Sequence, residues 1–287
     1  MAVLKTVLIG DVMGEPGLSV LERRLPLFIE EEQPDFIMVN GENSAAGFGI
    51  SADALSRMFK AGADVVSSGN HVWEKRDFWP YLDSEKRVLR PANYFKGPGR
   101  GYIRIYKEIQ GEGYAFLAVN LQGREFMQNI DCPFRCFDDI EKIQNNNPAS
   151  GECLYPADCL DKIGAEKTVV LVDFHAESSR EKEAFAFYLD GRASVVAGTH
   201  THVQTADEKI LPRGTAYITD LGMTGVSDAV IGMESKVCID RVKNQVLYRL
   251  EAASGGNKAL IQGIITEIEA DSGRPGKALS IRRLNLQ

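Results

Sequence analysis

An α/β fold of four layers, two β-sheets packed face to face with helices on both outsides, is predicted by three observations on the 287-residue sequence. Short apolar runs alternate with helical patterns through the first half of the chain, an order that implies parallel strands joined by right-handed crossovers. Later segments read as hairpins, so a second, more antiparallel sheet is expected against the first. No internal repeat and no long linker divides the chain, and a single domain over residues 1–287 follows.

The elements follow in order. TVLIG (6–10) is a short apolar run suited to a buried strand, and LSVLERRLPLFIEEE carries apolar residues at helical spacing. DFIMVNG (35–41) is a second strand, SADALSRMFKAG a helix with Ser51 as its N-cap, and ADVVSSGN (63–70) a third strand. GYIRIYKEI and YAFLAVNLQG form a hairpin pair, after which residues 128–166 make a polar excursion, a lid or a packing arm. KTVVLVDFHAE (167–177) is a buried strand, SSREKEAFAFYL a helix opened by a capping box of Ser178 and Glu181, and ASVVAGTHTH the next strand. KILPRGTAYITD is a hairpin turning at Pro212 to Gly214. The tail from residue 243 alternates in strand fashion and closes on two strands about a Gly/Pro turn.

Composition sets outer limits. No window nears the roughly 18 consecutive apolar residues of a membrane span, and the first residues turn polar too soon for a signal peptide, so a cytoplasmic protein is expected. A formal charge of −7 argues against coating nucleic acid through a basic face. Five cysteines, an odd number in a long chain, are expected to be reduced thiols. Cys132, Cys136, Cys153 and Cys159 fall close together in spacings looser than the usual zinc knuckle, and small apolar residues under a loop is the plainer reading.

Polar residues gather at five strand ends: Asp11 in GDVMG, Glu42 and Asn43 in NGEN, Asn70 and His71 in GNH, His175 in DFHAE, and His200 and His202 in GTHTH. Together these places use all four histidines of the chain. In open α/β sheets ligands bind beyond the carboxyl ends of the strands, where the five should meet. Taken singly, each has an ordinary alternative: Asp11 as a helix cap, Asn70 in a turn, His71 or His175 as a satisfied core histidine. Taken together, they point to metal.

Side chains at i and i+2 of an extended chain point the same way, about 7 Å apart. His200 and His202 could then serve one each of two metals about 3.5–4 Å apart. Asn70 and His71, being adjacent, should diverge and have different tasks. Two divalent ions bring four charges, and Asp11 with Glu42 remove two. A bridging hydroxide leaves about +1, which suits a singly charged phosphodiester and its transition state. The chemistry implied is metal-assisted hydrolysis of a phosphate ester.

These motifs resemble the calcineurin-like metallophosphoesterases, whose signatures Asp11, Asn70 with His71, His175, and His200 with His202 match. Two positions depart: Met13 stands where that superfamily has histidine, and NGENS where it has aspartates. Both departures are the pattern of its YmdB-type subgroup, which IGDVMGEPG, NGENSAAGFGI, GNHVWEK, LRPANY, DFHAE, GTHTHVQTAD, TDLGMTG and VIGMES also resemble across nearly the whole chain. The resemblance implies an α/β/β/α sandwich and hydrolysis of 2',3'-cyclic nucleotides to 3'-nucleotides by a metal-bridging hydroxide. It implies Asp11, Glu42, Asn43 and His202 on one metal, with Glu42 bridging to a second held by Asn70, His175 and His200. His71 becomes the proton donor. Iron is the expected metal, with manganese or zinc as alternatives, and self-association is common in the group.

Two other functions stay open. A phosphomonoesterase such as a protein phosphatase could use the same site, and p-nitrophenyl phosphate beside its bis ester separates the two. A regulatory protein could sense a nucleotide without turnover, although binding alone needs no proton donor. The glycine-rich loop 220–228 is either a phosphate contact or a tight turn. Trp73 and Phe48 could stack on a base, but aromatics in such loops more often pack.

Overall fold

The computed structural model describes residues 3–146, 153–154, 167–254, 258–271 and 274–287. Two sheets carry the chain. The first contains β1 (Val3–Ile9), β2 (Asp11–Val12), β3 (Phe36–Asn40) and β4 (Val65–Ser67), and then β12 (Met223–Val226), β13 (Ala259–Glu269) and β14 (Lys277–Leu286) from the far end of the sequence. β1 pairs in parallel with β3 and β3 with β4, while β13 runs antiparallel to β1, β12 and β14. The second sheet runs in the order β10 (Lys209–Ile210), β11 (Ala216–Ile218), β9 (Val195–Thr199), β8 (Lys167–His175), β6 (Glu112–Gln122), β5 (Tyr102–Ile109) and β7 (Cys153–Leu154).

Three apolar layers fix the packing. Leu4, Leu8, Phe36 and Met38 of the first sheet meet Phe116, Leu171 and Val195 of the second, with Phe36 stacked on Phe116 at 4.6 Å. Outside the first sheet, α1 (Gly14–Glu32) and α2 (Ala52–Ala61) cover Val7, Val39 and Ile265. Outside the second, α4 (Pro133–Asn146) and α5 (Ser179–Tyr188) press Phe137 and Phe185 onto Val172 and Phe174. Full burial of such side chains stabilises by about 1.5–3 kcal/mol each, which is why alternate faces of both sheets are apolar. This is the four-layer sandwich expected. The short α3 (Trp79–Ser84), entered through a 3-10 turn over Arg76–Phe78, and a later α6 (Ser235–Asn244) complete the helices among the described residues.

Several local expectations change. The second sheet is parallel at its centre, β6 with β8, β8 with β9, and β9 with β11. Its antiparallel pairs are the two expected hairpins. Residues 223–226, expected in a glycine-rich loop, are a strand, because Thr224 and Gly225 pair with Ile261 and Leu260. The tail does not begin as a strand: α6 runs to Asn244, and residues 246–250 have no regular structure. Its apolar residues give little periodicity because Ile239 and Val242 face solvent. Ser51 caps α2 through the amide of Ala54, as expected, whereas the box at α5 is half formed. Ser178 Oγ accepts from Glu181 N, but the Glu181 carboxylate turns away to accept from Arg124 N and Glu125 N.

Within the expected excursion, residues 133–146 are the helix α4. Cys132 and Cys136 are free, and burial pushes the Cys136 thiol up to about 11. Cys159 and the side chain of Cys153 lie outside the described residues, so the four-cysteine cluster does too. Among the described residues no helix is long and apolar enough to cross a membrane.

Candidate metal centre

The parallel strands of both sheets deliver their carboxyl ends to one edge of the sandwich. From the first sheet come Asp11 on β2, Glu42 and Asn43 just past β3, and Asn70 past β4. From the second come His175, the last residue of β8, and His200 and His202 just past β9. Asp11, Glu42 and His175 are fully buried, Asn43 and His202 nearly so.

Two groups form. His175 Nε2 lies 3.0 Å from Asn70 Oδ1, 3.0 Å from His200 Nδ1 and 2.9 Å from Glu42 Oε2. His202 Nε2 lies 3.1 Å from the Asn43 side-chain amide and 3.7 Å from Asp11 Oδ1. Asp11, Glu42 and His175 offer ligand atoms all within 4.8 Å of one another, which joins the groups. The histidine pair is thus divided between them, but not by an extended chain. His200 and His202 have φ of 100° and 63°, so left-handed backbone at both residues, not strand alternation, sets their directions.

Proton positions explain why this cluster suits a cation. His175 Nδ1 is 3.0 Å from Thr199 Oγ1, whose own proton goes to Asp173 Oδ1 at 2.7 Å. Nδ1 must therefore donate, which leaves Nε2 a bare lone pair. His200 Nε2 sits 3.1 Å from Glu177 Oε2, and His202 Nδ1 sits 2.9 Å from the Ile231 carbonyl. With those nitrogens donating, His200 Nδ1 and His202 Nε2 are bare as well. With Glu42 ionised, His175 Nε2 then faces Glu42 Oε2 and Asn70 Oδ1 with no proton between them. Consistent with that, Asp11 Oδ1 and Glu42 Oε2 are buried without a hydrogen-bond donor. Burial pushes both carboxyls up to about 7 and His175 down to about 3, and lowers His200 further still. Gly69 forms the floor: a Cβ there would lie 1.8 Å from Glu42 Oε2 and 2.4 Å from His175 Nε2.

Residues beneath the cluster were not singled out from the sequence. Asp173 ties the sheets together, accepting from Ser67 Oγ and from Asn40 Nδ2 at 2.9 Å as well as from Thr199. Asn40 Oδ1 in turn accepts from Glu42 N at 3.0 Å. Asp220 accepts from Lys182 Nζ at 2.7 Å and from Thr201 N and Oγ1 at 3.1 and 2.8 Å, gripping the residue between His200 and His202. An aspartate inside the apolar run TVVLVDFHA is a usable sequence signal, because a buried carboxyl needs partners.

His71 stands apart. Its backbone N–H donates to Glu42 Oε1 at 2.9 Å, while its ring turns outward, edge to face with Phe48 at 4.9 Å and 3.3 Å from Glu74. Asn70 and His71 do diverge. Trp73 packs: its indole N–H donates to the Pro98 carbonyl and its ring meets Tyr94 at 4.7 Å. Met13 is buried in a small cluster with Met223 and Met233.

A family model described as "YmdB-like protein" matches residues 7–284. The chain is 37% identical over 282 residues to the 2',3'-cyclic-nucleotide 2'-phosphodiesterase of Bacillus subtilis (strain 168), covering 98% of this chain and 96% of that one. Among solved structures, a hypothetical protein from Thermus thermophilus superimposes with a TM-score of 0.80 at 38% identity, covering 99% of this chain and 100% of the other. A phosphatase from Mycoplasma pneumoniae gives 0.82 at 27% identity, covering 100% and 94%.

Proposed function

The chain belongs to the YmdB-like protein family, and from that premise we propose that it is a phosphodiesterase that opens 2',3'-cyclic nucleotides to 3'-nucleotides with two divalent metal ions. One observation carries the reading: the lone pairs of His175 Nε2, His200 Nδ1 and Asn70 Oδ1 converge with the donor-less carboxylate oxygens Asp11 Oδ1 and Glu42 Oε2 in a buried site fed by both sheets. Asp11, Asn43 and His202 would hold one ion, Asn70, His175 and His200 the other, with Glu42 shared. Asn43 would offer its carbonyl oxygen after a half-turn of the amide now facing His202. The mixed oxygen and nitrogen set suits iron, with manganese or zinc as substitutes. When bound, the ions would neutralise the phosphate and supply a water acidic enough to attack near neutral pH.

The chain's own residues do the rest. Attack at phosphorus breaks its bond to the ribose 2'-oxygen, which leaves needing a proton. His71 would give it: its amide is anchored on the cluster through Glu42, and its side of the loop lines an open cavity. Glu74 Oε1, 3.3 Å from its Nδ1, orients the ring. A second reading, hydrolysis of monoesters, draws support from the Mycoplasma pneumoniae phosphatase.

The test combines metal analysis with turnover of 2',3'-cyclic AMP, p-nitrophenyl phosphate and its bis ester, with products identified by phosphorus NMR. Activity confined to the monoester overturns the diesterase reading, and inertness with iron, manganese and zinc alike overturns both. His71→Ala should lower kcat on 2',3'-cyclic AMP by about 10²-fold or more with metal content unchanged. Loss of metal along with activity would make His71 a ligand.

A further inference from the structure

Beside the cluster, a cavity of about 820 Å³ opens with His71 and Phe48 on one wall and Leu250 to Ser254 on the other. We propose that this cavity seats the uncharged nucleoside body of the substrate, with Phe48 as the platform for its base, and that it selects against substrates carrying a second phosphate. The proposal rests on the phosphodiesterase reading above. A proton from His71 can reach only an oxygen beside its ring, so whatever the leaving oxygen is attached to must lie in the space that the ring faces. That space is this cavity.

Loop geometry puts Phe48 where a base would stack. Gly47 and Gly49, on either side of it, have φ of 96° and 77°, a left-handed backbone that bends the loop sharply around Phe48. With no side chain on Gly49, the loop lies against residues 71–75, where an added Cβ would come 3.1 Å from Lys75 Cγ and 3.2 Å from Glu74 Cβ. The half-buried Phe48 ring thereby meets His71 edge to face at 4.9 Å. Aromatic faces take bases of any sequence by stacking.

The opposite wall is held firmly. Ala253 N donates to the Gly232 carbonyl at 2.9 Å, Glu234 N to the Glu251 carbonyl at 2.9 Å, and Ser254 N to Glu234 Oε1 at 2.8 Å. Ala252 wedges against the first site loop, its Cβ only 2.8 Å from where a Cβ on Gly14 would stand. The wall meets the glycine loop at its base, where a Cβ on Gly47 would lie 3.4 Å from Ala252 Cβ.

Charge decides what enters. Lys75 and Arg249 bring two positive charges to the lining, while Glu15, Glu74 and Glu251 bring three negative ones. Glu15 is already paired with Arg57 at 2.7 Å, so Glu74 and Glu251 balance Lys75 and Arg249, and the one charge left over is the proton that His71 gives to the leaving oxygen. A balanced rim over an apolar wall of Phe48, Leu250 and Ala252 suits a neutral ribose and base, and it lacks the excess of cations that a second phosphate needs.

The test compares kcat/KM of the metal-loaded protein for 2',3'-cyclic AMP, for the same compound bearing a 5'-phosphate, and for glycerol 1,2-cyclic phosphate, which has the ester but no nucleoside. Wild-type protein is expected to favour 2',3'-cyclic AMP at least ten-fold over each of the others. In Phe48→Leu, which keeps an apolar side chain in place, the ratio of 2',3'-cyclic AMP to glycerol cyclic phosphate should fall about ten-fold, and Phe48→Trp should restore it. Saturation-transfer NMR of adenosine with metal-free protein should show contact in wild type that Phe48→Leu loses. An unchanged ratio in Phe48→Leu, or equal turnover of the 5'-phosphorylated compound, overturns the assignment while leaving the phosphodiesterase reading intact. Turnover of none of the three overturns that reading, and this assignment with it.

Discussion

Thr199 Oγ1 stands between His175 Nδ1 at 3.0 Å and Asp173 Oδ1 at 2.7 Å, and a hydroxyl has one proton to give. Because that proton goes to the carboxylate, His175 is held in the tautomer that aims a lone pair at the cluster. Thr199→Val keeps the shape and removes the relay. It should weaken metal affinity about 10- to 100-fold, read by competition against a fluorescent chelator, and Thr199→Ser should recover most of the loss. Equal affinity in wild type and Thr199→Val would leave the tautomer unconstrained by this hydroxyl. At this scale the sequence was informative about the residues at strand ends, since each is a metal-capable side chain interrupting an apolar run. It was silent on Thr199, because a threonine in a strand is ordinary.

The turn after β9 shows what element-level patterning leaves out. Alternation along an extended chain places His200 and His202 on one side, yet both residues have left-handed backbone and belong to different groups. What imposes that turn is distant in sequence: Asp220, just past β11, grips the Thr201 amide and hydroxyl while paired with Lys182 of α5. Lys182 and Asp220 are each 1% exposed, so neither side chain can find water if its partner is removed. Lys182→Met should therefore destabilise the protein by about 3–5 kcal/mol in urea unfolding. The double variant Lys182→Met/Asp220→Leu should recover much of that stability but not turnover, since Thr201 has lost its acceptor. Full activity in the double variant would show that the turn keeps its shape unaided. Helical spacing located α5, but spacing cannot tell a solvated lysine from a buried one whose partner lies 38 residues away.

Across the whole molecule, β1, α1, β3, α2 and β4 were legible because each connection is local and each crossover has one favoured hand. Sheet membership was not: β12 and β13 return to the first sheet by non-local pairing, which no window of sequence encodes, whereas β14 follows through the expected hairpin with β13. That closure also packs three carboxyls into the interior at the seam between the sheets. Burial pushes Asp11, Glu42 and Asp173 up to about 7 from ordinary values of 3.8, 4.5 and 3.8. The unfolded chain releases these protons near pH 4 and the folded chain keeps them to about 7, so in that interval stability falls as pH rises. Buried histidines oppose this at lower pH. His175, pushed down from 6.5 to about 3, adds stability as pH climbs toward 6.5 and nothing above it. The carboxyls therefore act alone above pH 6.5. Metal-free protein should lose several degrees of Tm, roughly, between pH 6.5 and 8. Divalent ions at the proposed site would take the ionised carboxylates of Asp11 and Glu42, so saturating manganese should flatten or reverse the trend. Scanning fluorimetry of both forms across this range checks the sign, and a metal-free Tm that is level or rising would mean that the carboxyls are already ionised in the fold.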